Sequence, residues 1–105
     1  MTTFDDREKA FENKFAHDAD LMFRARARRN RLFGEWLAGE LGITGDAVKE
    51  YAGSVVASDL EEEGDEDVIR KVVADVKAKG LAFSADDLRE KLESYMSEAK
   101  RQIMA

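Results

Sequence analysis

The side chains of greatest chemical potential in this sequence are five arginines, Arg24, Arg26, Arg28, Arg29 and Arg31, set within eight residues. Guanidinium groups grip carboxylates and phosphates through forked hydrogen bonds, so the cluster fits an anion, either a nucleotide phosphate or the acidic side chains of a partner protein. The competing reading is a solvated helix paired with acids elsewhere in the chain. At about 100° per residue, Arg24, Arg28 and Arg31 share one helical face, while Arg26 and Arg29 lie on the opposite side. A candidate anion or nucleotide site is therefore drawn at Arg24, Arg28, Arg29 and Arg31. Between Asp59 and Asp67 seven acids occupy nine residues. This run lacks the alternating oxygen ligands and terminal glutamate of a calcium loop, and reads as helix-start acids rather than a metal site. His17 is the one histidine. It has too few neighbours of the right type for a metal, and its ordinary pKa would let it act as a titrating switch unless it is simply an exposed side chain. No Ser/His/Asp or Cys/His set, Gly-rich phosphate loop or spaced metal cluster is present. The expectation is a protein that is not an enzyme and uses no metal or cofactor.

A second constellation is aromatic. If the first residues are helical, Phe4, Phe11, Phe15 and Met22 project within about 20° of one line. Between them the chain is mostly charged, with Asp5, Asp6, Arg7, Glu8, Lys9, Glu12, Lys14 and Asp18. So narrow a stripe buries little, and the segment reads as a mobile or partly helical arm over residues 1–18 that docks into a partner's groove and folds as it binds. The bland alternative is that its phenylalanines pack back on the rest of the protein. A membrane-surface helix is disfavoured, because five acids against three bases up to residue 18 give a polar face that anionic lipid repels.

Those residues sit in a chain of 105 residues with 17 Lys and Arg, 23 Asp and Glu and a net charge of −6. Since five positive charges fall within Arg24–Arg31, the remainder carries −11. Indiscriminate binding to nucleic acid is thereby disfavoured, and no reading motif for it is visible. The chain has no cysteine, which excludes disulfides and thiolate chemistry. No apolar run approaches the roughly 20 residues of a membrane span, and the acidic start is unlike a signal peptide. The expectation is a soluble cytoplasmic protein with one domain, a monomer when free.

Punctuation along the chain predicts an all-α fold, a small four-helix bundle over residues 19–105. There is no proline, so helix stops fall to glycine. Gly42, Gly64 and Gly80 can end the first three helices. Thr44 and Asp65 are the expected N-caps of the second and third. Ser84-Ala85-Asp86-Asp87 approximates a capping box for the fourth, with Phe83 stapled against Leu88. The apolar spacings agree: Leu32, Phe33, Trp36, Leu37 and Leu41, then Val48, Tyr51, Ala52, Val55 and Val56. Val68, Ile69, Val72, Val73 and Val76 follow a period near 3.6 without alternation, which decides for helix despite their β propensity. Leu88, Leu92, Tyr95, Met96, Ala99 and Ile103 form the last stripe. Short connections predict antiparallel neighbours.

Four stretches then carry a resemblance: Phe4 to Glu12, Lys14 to Asp18, Ala27-Arg28-Arg29-Asn30 and Gly64-Asp65-Glu66-Asp67-Val68. In order, and across nearly the whole chain, they resemble the zeta inhibitor subunit family of the alphaproteobacterial F1-ATPase. Leu60 and Glu35 depart from its pattern outside the arm. The resemblance implies a non-enzymatic inhibitor of ATP hydrolysis whose N-terminal arm enters a catalytic α/β interface of F1 near the γ shaft. On that basis Phe4, Asp5, Asp6, Arg7, Lys9, Phe11, Lys14, Phe15 and His17 would contact the α, β and γ subunits. The protein would lie at the inner membrane only through F1. Apart from the resemblance, a small anion- or nucleotide-sensing helical domain remains open.

Overall fold

The structure, a computed structural model, describes residues 18–59 and 65–104. Four helices follow one another: α1 (Ala19–Glu40), α2 (Ala47–Ser58), α3 (Glu66–Ala78) and α4 (Ala85–Met104). The all-α four-helix expectation holds.

Each boundary has a local cause. Asp18, in extended conformation, accepts the Leu21 N–H at 3.1 Å and starts α1. At the other end Gly42 turns the chain at φ +78. There the Ile43 N–H reaches the Ala38 carbonyl at 2.9 Å and the Gly42 N–H that of Gly39 at 3.2 Å, a Schellman closure. The same geometry ends α3: Gly80 has φ +73, and Leu81 and Gly80 donate to Val76 and Lys77 at 2.9 and 3.0 Å. The α2 start corrects the sequence reading. Thr44 is not the cap; Gly45 takes φ +66, and the helix begins behind Asp46, whose side chain makes no capping bond. The left-handed turn at Gly45 separates Thr44 from the N–H groups it was expected to meet. At α3 the cap is Asp65, as expected, but its side chain makes no capping bond. Gly64 lies outside the described residues.

Ser84 and Asp87 form a reciprocal box before α4. Each backbone N–H donates to the other's side chain, at 3.0 Å from Ser84 and 3.1 Å from Asp87. Phe83, beside the box, packs on the core that includes Leu88. Ser84→Ala is expected to destabilise the bundle by ~1 kcal/mol. An unchanged thermal or urea midpoint would refute that role for the box.

The helices form a closed ring: α1 packs on α2 and α4, α3 also packs on α2 and α4, and the α1 and α3 backbones do not meet. Phe33, Leu37, Val55, Val68, Val72, Val76 and Leu88 fill the centre with no exposure. The predicted stripes are therefore the ones turned inward. Trp36, Tyr51, Val73, Phe83 and Tyr95 are partly buried around that centre. Against α2, α1 comes so close that a Cβ on Gly34 would stand 2.8 Å from the Ala52 Cα, closer than real side chains pack.

Cross-helix partners give the directions. Arg26 near the start of α1 meets Asp59 at the end of α2 at 2.8 Å. Tyr51 at the start of α2 donates to Asp75 late in α3 at 2.7 Å. Burial first, then this hydrogen bond and the negative charge of Asp75, push the Tyr51 phenol far above its ordinary pKa. On the α4 side, Phe33 meets Tyr95 edge-on at 6.4 Å between centroids, and Lys91 lies 4.9 Å over Trp36. These three pairs run antiparallel, as expected. The α3–α4 pair departs from the pattern, because Arg89 in the second turn of α4 reaches Glu66 in the first turn of α3 at 3.1 Å.

Candidate functional site

Of the residues singled out in the sequence, Phe4, Asp5, Asp6, Arg7, Lys9, Phe11, Lys14, Phe15 and His17 lie outside the described residues. The structure describes the root from which they lead, Asp18 and the first turns of α1. Asp18 has φ −120 and ψ 101, so the helical backbone begins only at Ala19. Counted at about 100° per residue within α1, Met22 shares its line with Arg29 and Phe33. Both of these are buried, at 4% and 0% exposure.

The arginine cluster divides as its helical spacing predicts. Arg29 points inward. Its Nη1 lies 2.9 Å from Asp65, its Nη2 lies 3.7 Å from Asp59, and its Nε donates to the Asn30 Oδ1 at 3.0 Å. Arg26, on the same side, holds Asp59 at 2.8 Å and Asp65 at 3.8 Å. Two arginines from α1 thus clasp both flanks of the acid-rich stretch and tie the α2–α3 connection to the end of the bundle. Here the paired reading of the cluster applies. The buried guanidinium is held by Asp65 and the Asn30 amide oxygen, with Asp59 as a second carboxylate at 3.7 Å, while its Nη2 makes no hydrogen bond among the described residues.

Arg24, Arg28 and Arg31 point outward and are exposed. Arg24 reaches Asp20 at 3.2 Å, and Arg28 donates to the Gln102 Oε1 at 3.0 Å. Arg31 makes no ion pair among the described residues. Arg29 therefore does not converge with the other three members of the candidate anion site. Leu60–Gly64 of the acidic run lie outside the described residues. Among those described, no group of three or more His, Cys, Asp or Glu is placed to hold a metal ion. No described helix is long and apolar enough to cross a membrane.

One feature was not singled out in the sequence. Phe23 sits on α1 with 61% of its surface exposed, whereas Met22 beside it is half-buried. Its off-stripe position was legible, but its exposure depends on where α2 ends, which spacing alone does not give.

The family model of the ATPase inhibitor subunit zeta matches residues 1–102. The chain belongs to that family. The match takes in both the helices and the charged, phenylalanine-bearing sequence before α1. Among solved structures, one determined in solution by NMR is similar over 80% of this chain and 95% of its own, with 45% identity and a TM-score of 0.71. No curated protein matches. The zeta family is a family of ATPase inhibitor subunits.

Proposed function

We propose that this chain suppresses ATP hydrolysis by the F1 sector of the ATP synthase, inserting residues 1–18 at a catalytic α/β interface near γ while the bundle anchors it outside. The observation that carries the reading is the extent of the family match, which begins at residue 1 and includes Phe4, Phe11 and Phe15. Among the described residues, side chains of all four helices fill the bundle's centre.

No chemistry is required of such an inhibitor. If one rotary state of the interface holds the arm more tightly than the next, insertion stabilises that state by the difference in affinity and raises the barrier to leaving it. Phe4, Phe11 and Phe15 would supply most of the holding energy, as large anchors do at interfaces. Asp5, Asp6, Arg7, Lys9 and Lys14 would set register and speed association. His17, one residue before the α1 cap, would stand where the arm meets the bundle. The place of action would be cytoplasmic, on F1 at the inner membrane.

The test is the hydrolysis rate of purified F1 from the same organism, titrated with the full chain and with the chain lacking residues 1–17. Deletion is expected to abolish inhibition while circular dichroism retains the helical signal of α1 to α4. Equal inhibition by the truncated chain would refute the arm as the inhibitory element.

A further inference from the structure

The helices α1 and α2 differ in length, with 22 and 12 residues. At about 1.5 Å per residue they span roughly 33 and 18 Å. They run antiparallel, and α2 ends where Asp59 meets Arg26 at 2.8 Å. The first two turns of α1 therefore overhang the end of α2. Phe23 lies within this overhang. On the helical wheel it falls about 20° from both Asn30 and Gly34, two buried residues, and Gly34 is the point of closest approach to Ala52 of α2. Phe23 thus occupies the line that α2 covers further along, about two turns beyond its cover. It is the most exposed large hydrophobic among the described residues, at 61%.

Next to it, Arg24, Ala27 and Arg31 occupy the outward side of the same helix, within about 100° of Phe23. The Arg24 side chain is 64% exposed, and Arg31 is exposed without an ion pair among the described residues. An uncovered aromatic flanked by guanidinium groups, on a chain of net charge −6, is a local reversal of the molecule's sign.

We propose that Phe23, Arg24 and Arg31 form a second docking surface, which seats the overhang of α1 on an acidic protein surface with an apolar socket on the ATPase. This rests on the function proposed above for the partner's identity, but on Phe23 and the arginines for the site. Charge complementarity selects the occupant, since forked guanidinium–carboxylate contacts would fix orientation while the ring supplies the buried area. A lipid surface fits less well. The patch offers one ring, too little apolar surface to hold a helix in a bilayer interface, whereas one ring can fill a protein socket.

The experiment titrates ATP hydrolysis by purified F1 with the full chain and with four full-length variants: Phe23→Ala, Phe23→Tyr, the double variant Arg24→Gln/Arg31→Gln, and Phe11→Ala. Phe23→Ala is expected to raise the half-inhibitory concentration about tenfold, and Phe23→Tyr to restore most of the loss. The arginine pair should raise it about threefold to tenfold near 50 mM salt, with the effect shrinking toward 300 mM. Maximal inhibition at saturation should be unchanged in all three. Unchanged half-inhibitory concentrations for Phe23→Ala and the arginine pair, with a loss for Phe11→Ala, would overturn the second surface and leave the arm reading standing. Absence of inhibition by the unmodified chain would overturn both. Co-sedimentation with phosphatidylglycerol–phosphatidylcholine vesicles that is lost in Phe23→Ala would assign the patch to lipid and overturn the proposal.

Discussion

Phe33→Ala is expected to be the most damaging single core substitution, lowering stability by ~3–5 kcal/mol. Phe33 has no exposed surface, meets Trp36 at 5.9 Å and Tyr95 at 6.4 Å between ring centroids, and belongs to the cluster that draws on all four helices. Truncation removes the transfer energy of the ring and leaves a space that neighbours on four elements cannot jointly close. A domain of this size has a total stability of roughly 5–15 kcal/mol, so the variant should melt at least about 12 °C lower and be partly unfolded when warm. Differential scanning calorimetry checks it. A midpoint shift below about 5 °C would mean that the cavity collapses and that Phe33 is not the keystone of the centre.

Asp59→Ala is expected to lower stability by about 3 kcal/mol, more than an ordinary surface pair would. The Asp59 side chain is 8% exposed and stands between two arginines, 2.8 Å from Arg26 and 3.7 Å from Arg29. Its removal leaves Arg29, itself 4% exposed, with a single carboxylate partner, Asp65, whose side chain is 50% exposed. The cost arises from losing the buried carboxylate that holds Arg26 at 2.8 Å and is, among the described residues, the only carboxylate near the Arg29 Nη2, which makes no hydrogen bond of its own there. Asp65→Ala removes the shorter Arg29 contact, 2.9 Å, but at a half-exposed carboxylate that water can replace, and should be milder. Because buried charges are weakly screened, salt should not narrow the gap between the two variants. Urea denaturation of both, at low and high salt, decides the matter. Equal losses, or a gap that vanishes at high salt, would show that the clasp behaves as a surface pair.

Much of the bundle was legible because its signals are local. Gly42 and Gly80 closed α1 and α3 with the positive φ that glycine permits, and the spacing of Val68 to Val76 placed its buried face. Ser84 and Asp87 found each other because three residues separate them. Thr44 was misread for a reason equally local: Gly45 could take either hand, and its left-handed turn moved the helix start to Asp46. The split of the arginines into inward and outward sets followed from helical geometry. The acids that receive Arg26 and Arg29 did not, because Asp59 and Asp65 come within reach only once α2 and α3 are folded over α1. The meeting of Arg89 with Glu66 was likewise invisible, since connection length does not fix a crossing. Phe23 was the clearest gap. Its position off the core stripe was readable, whereas its exposure follows from the unequal lengths of two helices that must first be paired.

The antiparallel pairing of α1 with α2 and α4 also sorts the molecule into two poles. The head of α1, the tail of α2 and the tail of α4 share one pole, as the contacts of Arg26 with Asp59 and of Arg28 with Gln102 show. The turn at Gly42–Gly45 and the stretch around Phe83, which meets Trp36 at 5.5 Å, occupy the other. A fluorophore or affinity handle fused behind α4 would therefore crowd the start of α1. One grafted at Gly45 would trail from the far pole and leave the start of α1 clear.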